Sequence, residues 1–203
     1  MQAASIPRTA PLALWRVAEA FLHILHALFG APEDVAREHT LTRAAYTLML
    51  SWLRVGEALL RRLLVIEAAA FDTSGAARPR APRQRQRRLM EFSADNPEDW
   101  RVSFRCFSSS PASSGGSAKP QCGEAKGRVL LHSAWPIAER YEALLRVFNA
   151  PHAFARRLAR RLHANPRQLD TVLHEPEHFT DRVDDAEQIT TAARGAWRRD
   201  DSS

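Results

Sequence analysis

His174-Glu175-Pro176-Glu177-His178 has the outline of the H-E-x-x-H zinc motif. That motif works when one helix holds two imidazoles four residues apart on a single face, with the glutamate beside them. Here Pro176 stands between the histidines. It cannot lie inside a continuous helix, and it biases Glu175 away from helical backbone. The expected structure is a helix end followed by a polar turn, and the motif match is accidental.

His23 and His26 are three apart on one helix face, a spacing that can bind a metal, with Glu19 a turn earlier and Glu38-His39 within reach across a hairpin. A four-helix di-metal site needs Glu-x-x-His on two helices, and this chain has no second pair. Cys106, Cys122 and His132 lack the closely spaced cysteine pair of structural zinc sites. Cys106 reads as a small apolar strand residue, and Cys122 as a thiol in a loop. G-x-S-x-G, P-loop and G-x-G-x-x-G patterns are all absent. No metal or other cofactor is expected. The reading leans away from an enzyme, although one built on scattered residues stays open.

Arginine is the remaining chemistry. Arg156, Arg157, Arg160 and Arg161 cover one face of a short amphipathic helix whose other face is Phe154, Leu158 and Leu162. Arg78, Arg80, Arg83, Arg85, Arg87 and Arg88 fall among prolines and glutamines in an extended arm. Both groups could meet the phosphates of a nucleic acid. A solvated outer face of a bundle helix is the simpler explanation of the helix arginines. The chain holds 27 arginines against 2 lysines. With so much alanine, that bias reads first as the codon usage of a GC-rich bacterial genome. No helix-turn-helix, zinc finger or RNA-binding sheet pattern accompanies it.

The net charge of +6 is unevenly spread: +1 over residues 1–70, +5 over 71–130, +4 over 131–174 and −4 over 175–203. A basic middle beside an acidic end can fold back on itself at low salt, so any basic site would compete with the tail. Export signals and membrane spans are not evident, and two cysteines in such a chain suggest reduced thiols. The expected location is the cytoplasm.

The elements that must position these residues are helices. Residues 42–71 contain no proline and read as one long helix with a narrow polar stripe: Arg43, Thr47, Ser51, Arg54, Glu57, Ala58, Arg61 and Arg62. Arg54–Glu57 and Glu57–Arg61 are spaced to pair with one another. Leucine, valine, isoleucine, methionine and tryptophan cover the rest, so the helix must be buried on several sides. A first helix over 11–29, with Leu12, Trp15, Ala18, Leu22, Leu25 and Phe29 inward, stops at Gly30. A helical turn at 33–38 leads to a cap at Thr40 or Thr42. The first and long helices should form an antiparallel hairpin.

Trp100, Val102, Phe104 and Cys106 alternate with polar residues, as a strand would, and 128–132 is its candidate partner. Residues 73–89 and 108–126 read as linker and loop. Helices are expected at 136–148 with Ser133 as a possible cap, at 151–163, and at 166–174 behind Asn165. A last helix is conceivable near 184–197.

The expected fold is mainly α: a long N-terminal helical hairpin over 10–71 and a basic linker over 72–96. A small two-stranded element with three shorter helices follows over 97–174, then an acidic, partly disordered tail over 175–203. The leading functional expectation is a non-enzymatic protein acting through protein contacts or self-association. Non-specific nucleic-acid association through the ten arginines is the alternative, and peripheral membrane attachment the second.

Overall fold

The structure is a computed structural model that describes residues 9–71, 96–97, 100, 102–104, 106 and 131–198. Within them the protein is mainly α-helical, with a single two-stranded antiparallel sheet. The basic arm carrying Arg78, Arg80, Arg83, Arg85, Arg87 and Arg88 lies outside the described residues, as does the 108–126 loop.

Helix α1 (Leu12–Phe29) ends at Gly30, whose φ of +74° suits glycine and whose amide bonds back to His26 at 2.9 Å. A short α2 (Pro32–Arg37) follows, its proline in the first turn. Strand β1 (Thr40–Thr42) leads directly into α3 (Arg43–Ala68), and Thr42 Oγ1 caps that helix by accepting from the Ala45 amide at 3.3 Å.

The antiparallel hairpin is present. Phe21 lies over Gly56 and Trp52, and the start of α1 meets the end of α3. There the buried Glu67 carboxylate accepts from the Thr9 and Ala10 amides and from the Trp15 indole N–H, at 2.9, 3.1 and 3.2 Å. One α3 side chain thus supplies three acceptor contacts at the entrance to a helix that has no side-chain cap of its own. The inward face of α1 is Leu14, Trp15, Ala18, Phe21, Leu22 and Leu25. Leu12 was expected inside and is 62% exposed, because at about 100° per residue it sits roughly 130° from the centre of that stripe.

Strand β2 (Leu131–Ser133) pairs with β1, placing Leu41 opposite His132. The expected strand at Trp100 is not one: its described residues adopt neither helix nor strand. Trp100 is buried, and Val102, Phe104 and Cys106 lie against the core. Side-chain packing, not sheet pairing, accounts for their alternation.

Helices α4 (Trp135–Asn149) and α5 (Pro151–Ala164) follow, broken at Ala150. The cap of α4 is Ala134 rather than Ser133, and Asn165 makes no side-chain cap. The expected helix over 166–174 is a 3-10 turn, Pro166–Gln168, continuing into a single turn, α6 (Leu169–Val172). Two further helices come next, α7 (Phe179–Arg182) and α8 (Ala186–Arg198).

The α8 segment, expected as part of a weakly patterned acidic tail, lies along α3 with Ala186, Ile189, Ala193 and Trp197 buried. It is the last helix expected near 184–197; its one acidic residue, Glu187, is exposed on the side away from that apolar stripe. Surrounded by α1, α4, α5 and α8, α3 is the central element, and Leu53, Leu59, Leu60, Leu63, Leu64 and Val65 are all essentially inaccessible.

Candidate functional site

The polar stripe of α3 divides into three environments. At its C-terminal end Arg62, a member of that polar stripe, is fully buried. Its Nε donates to Thr190 Oγ1 of α8 at 2.8 Å, one terminal nitrogen to the Ala58 carbonyl at 3.1 Å, and the other to the Leu173 carbonyl at 3.0 Å. Glu175 approaches to 3.6 Å, and the Phe179 ring lies 4.1 Å beneath the guanidinium. Burial pushes the group down to about 10, and Glu175 opposes that shift. This arrangement ties α6, α7 and α8 to α3.

In the middle, Glu57 does not pair with its own helix. Both its oxygens take Arg140 of α4 in a two-pronged ion pair, each contact 2.8 Å long. Arg54 is exposed and makes no ion pair among the described residues.

Arg61 is the third environment. It is 5% exposed, and its Nε has no hydrogen-bond partner among the described residues. Burial lowers its pKa, Glu57 raises it again, and Arg140 lowers it further. The side chain forms part of a groove of about 1450 Å³ running along the polar stripe. Arg43, Tyr46 and Arg54 belong to the α3 wall, Glu139 and Arg140 to the α4 wall, and Ser103 and Phe104 to a third side. Burial raises the pKa of Glu139.

His174 and His178 close the far end of the same groove. They sit in a turn rather than on a helix, and His178 adopts a left-handed backbone with φ of +64°. Their ring geometry is therefore not that of the zinc motif. His178 Nδ1 instead lies 3.3 Å from Asp181. Among the described residues, no three His, Cys, Asp or Glu side chains gather as a metal site would require. His23 and His26 are both exposed on α1.

On α5, Arg156, Arg157, Arg160 and Arg161 are all exposed, while Leu158 and Leu162 are buried. Arg157 bonds the Ala153 carbonyl at 3.1 Å and stacks 4.7 Å from the Phe154 ring. A smaller cleft beside this face, about 430 Å³, contains Phe104, Cys106 and Phe154. Burial raises the pKa of the Cys106 thiol, which is the opposite of what a reactive cysteine requires.

The outward face of α1 is unusual in another way. Leu12, Ile24 and Leu28 are 62%, 45% and 53% exposed, and Ala13, Ala20 and Ala27 are exposed beside them. The stretch Leu12–Arg37 contains an 18-residue window of mean hydropathy 1.4, one third of it buried. By length and composition alone, that is enough to cross a membrane, a feature the sequence reading had placed nowhere in the chain. Gly30 interrupts the stretch, and the inner face of α1 is already committed to α3.

Sequence reasoning found the stripe, the α5 face and the histidine pair. It missed Arg61 as a separate case, because its isolation depends on Arg140 capturing Glu57 from 83 residues away. Comparison with protein-family models, with curated proteins and with solved structures finds no match.

Proposed function

We propose that this is a non-enzymatic, cytoplasmic helical protein that works through protein–protein contact, with self-association as the simplest form. The observation that carries this reading is the outward face of α1. Ala13, Ala20, Ile24 and Ala27, with the half-buried Val17 at the edge of the core, recur at alternating intervals of four and three, the spacing with which one helix packs against another. Alanines at every second position let a partner backbone approach closely, and Ile24 with Leu28 supplies the apolar area. A two-fold isologous dimer is the commonest homo-oligomer, and one exposed helix face can supply the self-complementary patch it needs.

The test is light scattering on the wild type and on Ile24→Glu/Leu28→Glu over a range of concentrations. The expected result is an oligomer that the double substitution returns to monomer with folding intact. A wild type monomeric at every concentration, with cross-linked protein partners that the substitution does not displace, would overturn it. Binding to vesicles that is lost in the same double substitution would assign the α1 face to a membrane instead.

The α5 face supports a second reading, contact with nucleic acid. Four exposed arginines on about two turns suit phosphates rather than bases, and such binding weakens steeply with salt. Fluorescence anisotropy with mixed-sequence DNA and RNA at two salt concentrations tests it. Neutralising Arg156, Arg157, Arg160 and Arg161 should flatten the salt slope, whereas no binding at low salt would end this reading.

A further inference from the structure

We propose that the groove along α3 is a binding site for an oxyanion, a carboxylate or phosphate group carried by a small molecule, with the Arg61 guanidinium as its principal contact. A guanidinium withdrawn from water and left without a partner is among the most unfavourable arrangements a protein can hold. Arg61 is only 5% exposed, and its buried Nε has no hydrogen-bond partner among the described residues.

The carboxylate nearest along its own helix, Glu57, has both oxygens engaged by Arg140. The neighbouring arginine shows what a structural role looks like here: Arg62 satisfies its nitrogens from Ala58, Leu173 and Thr190. Arg61 has no such set. It borders a groove lined by four arginines, Arg43, Arg54, Arg61 and Arg140, and three glutamates, of which Glu57 is taken up by Arg140, so the wall beside Arg61 carries a small excess of positive charge.

The chemistry of the donors selects the ligand. A guanidinium presents a planar fork matched to carboxylate and phosphate oxygens, and it holds its charge at any physiological pH. The Tyr46 and Phe104 rings border the same space and offer apolar surface to the body of a small molecule. At about 1450 Å³ the groove exceeds the roughly 300–1,000 Å³ of common ligand sites, so a small molecule fits together with water. Arg61 is too recessed for a nucleic-acid duplex to reach, in contrast to the exposed α5 arginines.

The experiment is isothermal titration calorimetry of the full chain with inorganic pyrophosphate and with citrate, alongside Arg61→Met, Arg61→Lys and the α5 variant Arg156→Gln/Arg160→Gln. The wild type should bind at least one probe with Kd below about 1 mM. A hundredfold excess over Kd should raise Tm by about 5–10 °C. Arg61→Met should weaken binding at least tenfold. Arg61→Lys, which keeps the charge and loses the fork, should retain part of it, and the α5 variant should bind as the wild type does. Three results would each overturn the proposal: no binding of either probe by the wild type at about 10 mM, binding unchanged in Arg61→Met, or binding lost in the α5 variant. If Arg61→Met fails to fold, Arg61→Lys and the wild-type titrations still decide it.

Discussion

Arg61 and Arg62 are consecutive residues of one helix, both withdrawn from water, and they meet opposite fates. Arg62 points toward α6, α7 and α8 and is held by Thr190, Leu173, Ala58 and the Phe179 ring. Arg61 points about 100° away, toward the groove, and holds nothing among the described residues. The same side chain at nearly the same depth is a tie on one side of α3 and an open donor on the other. Burial of a charge therefore says little about its role until its partners are counted.

The largest expected effect falls on the satisfied side. Arg62→Met removes the hydrogen bonds that join three elements to α3 and leaves the Leu173 carbonyl and Thr190 hydroxyl without their donor. Urea unfolding should show a loss of about 3–5 kcal/mol. A loss below about 1 kcal/mol would mean that apolar packing alone fastens α8 to α3.

The apolar surface between the two arginine faces comes next. Leu53 and Leu60 are each 1% exposed, and Leu→Ala at either should cost about 2–5 kcal/mol in the same assay. Gly56 is a narrower probe of the hairpin. An added Cβ would lie 2.9 Å from Phe21 Cε1 and 3.2 Å from Leu144 Cδ1, so Gly56→Ala should cost about 1–3 kcal/mol. A neutral effect there would show that α1 can shift away from α3 without loss.

Tyr141 sharpens the comparison from the unsatisfied side. Its hydroxyl is buried without a hydrogen-bond partner among the described residues, and burial, assisted by Glu33, pushes its pKa up to about 12. Tyr141→Phe should be neutral or stabilising by about 1 kcal/mol. The sign of the pH effect follows from the raised value. The neutral phenol's contribution is fully present below the unfolded value of about 10 and is lost as pH rises toward 12. The Tyr141→Phe protein should lack that part of the alkaline decline.

Much of this architecture was legible in the sequence, for physical reasons that the arginine pair also exposes. Helical periodicity places α1, α4 and α5 within a residue, and α3 to within three residues at its C-terminal end, because a stripe repeating every 3.6 residues is a local signal. The near-complete apolar circumference of α3 correctly implied neighbours on several sides. What escaped were long-range pairings. Strand β2 meets β1 rather than the alternating segment at Trp100, since a three-residue strand carries almost no periodicity. The helix near 184–197 was legible, but its docking on α3 through Ile189, Ala193 and Trp197 was not, because the acidic residues of the surrounding segment read as a solvated tail. Arg61 and Arg62 look alike in a helical projection, and only partners 83 to 128 residues distant separate them.

The most direct test of that separation is the unfolding free energy of Arg61→Met, measured in urea beside the wild type and without added anions. An open donor contributes nothing to the fold, and replacing it with an apolar chain of similar length relieves its desolvation. Arg61→Met should be as stable as the wild type or more so by about 1–3 kcal/mol. A loss comparable to that of Arg62→Met would contradict it, and would make Arg61 a second tie in the core rather than a side chain held open toward the groove.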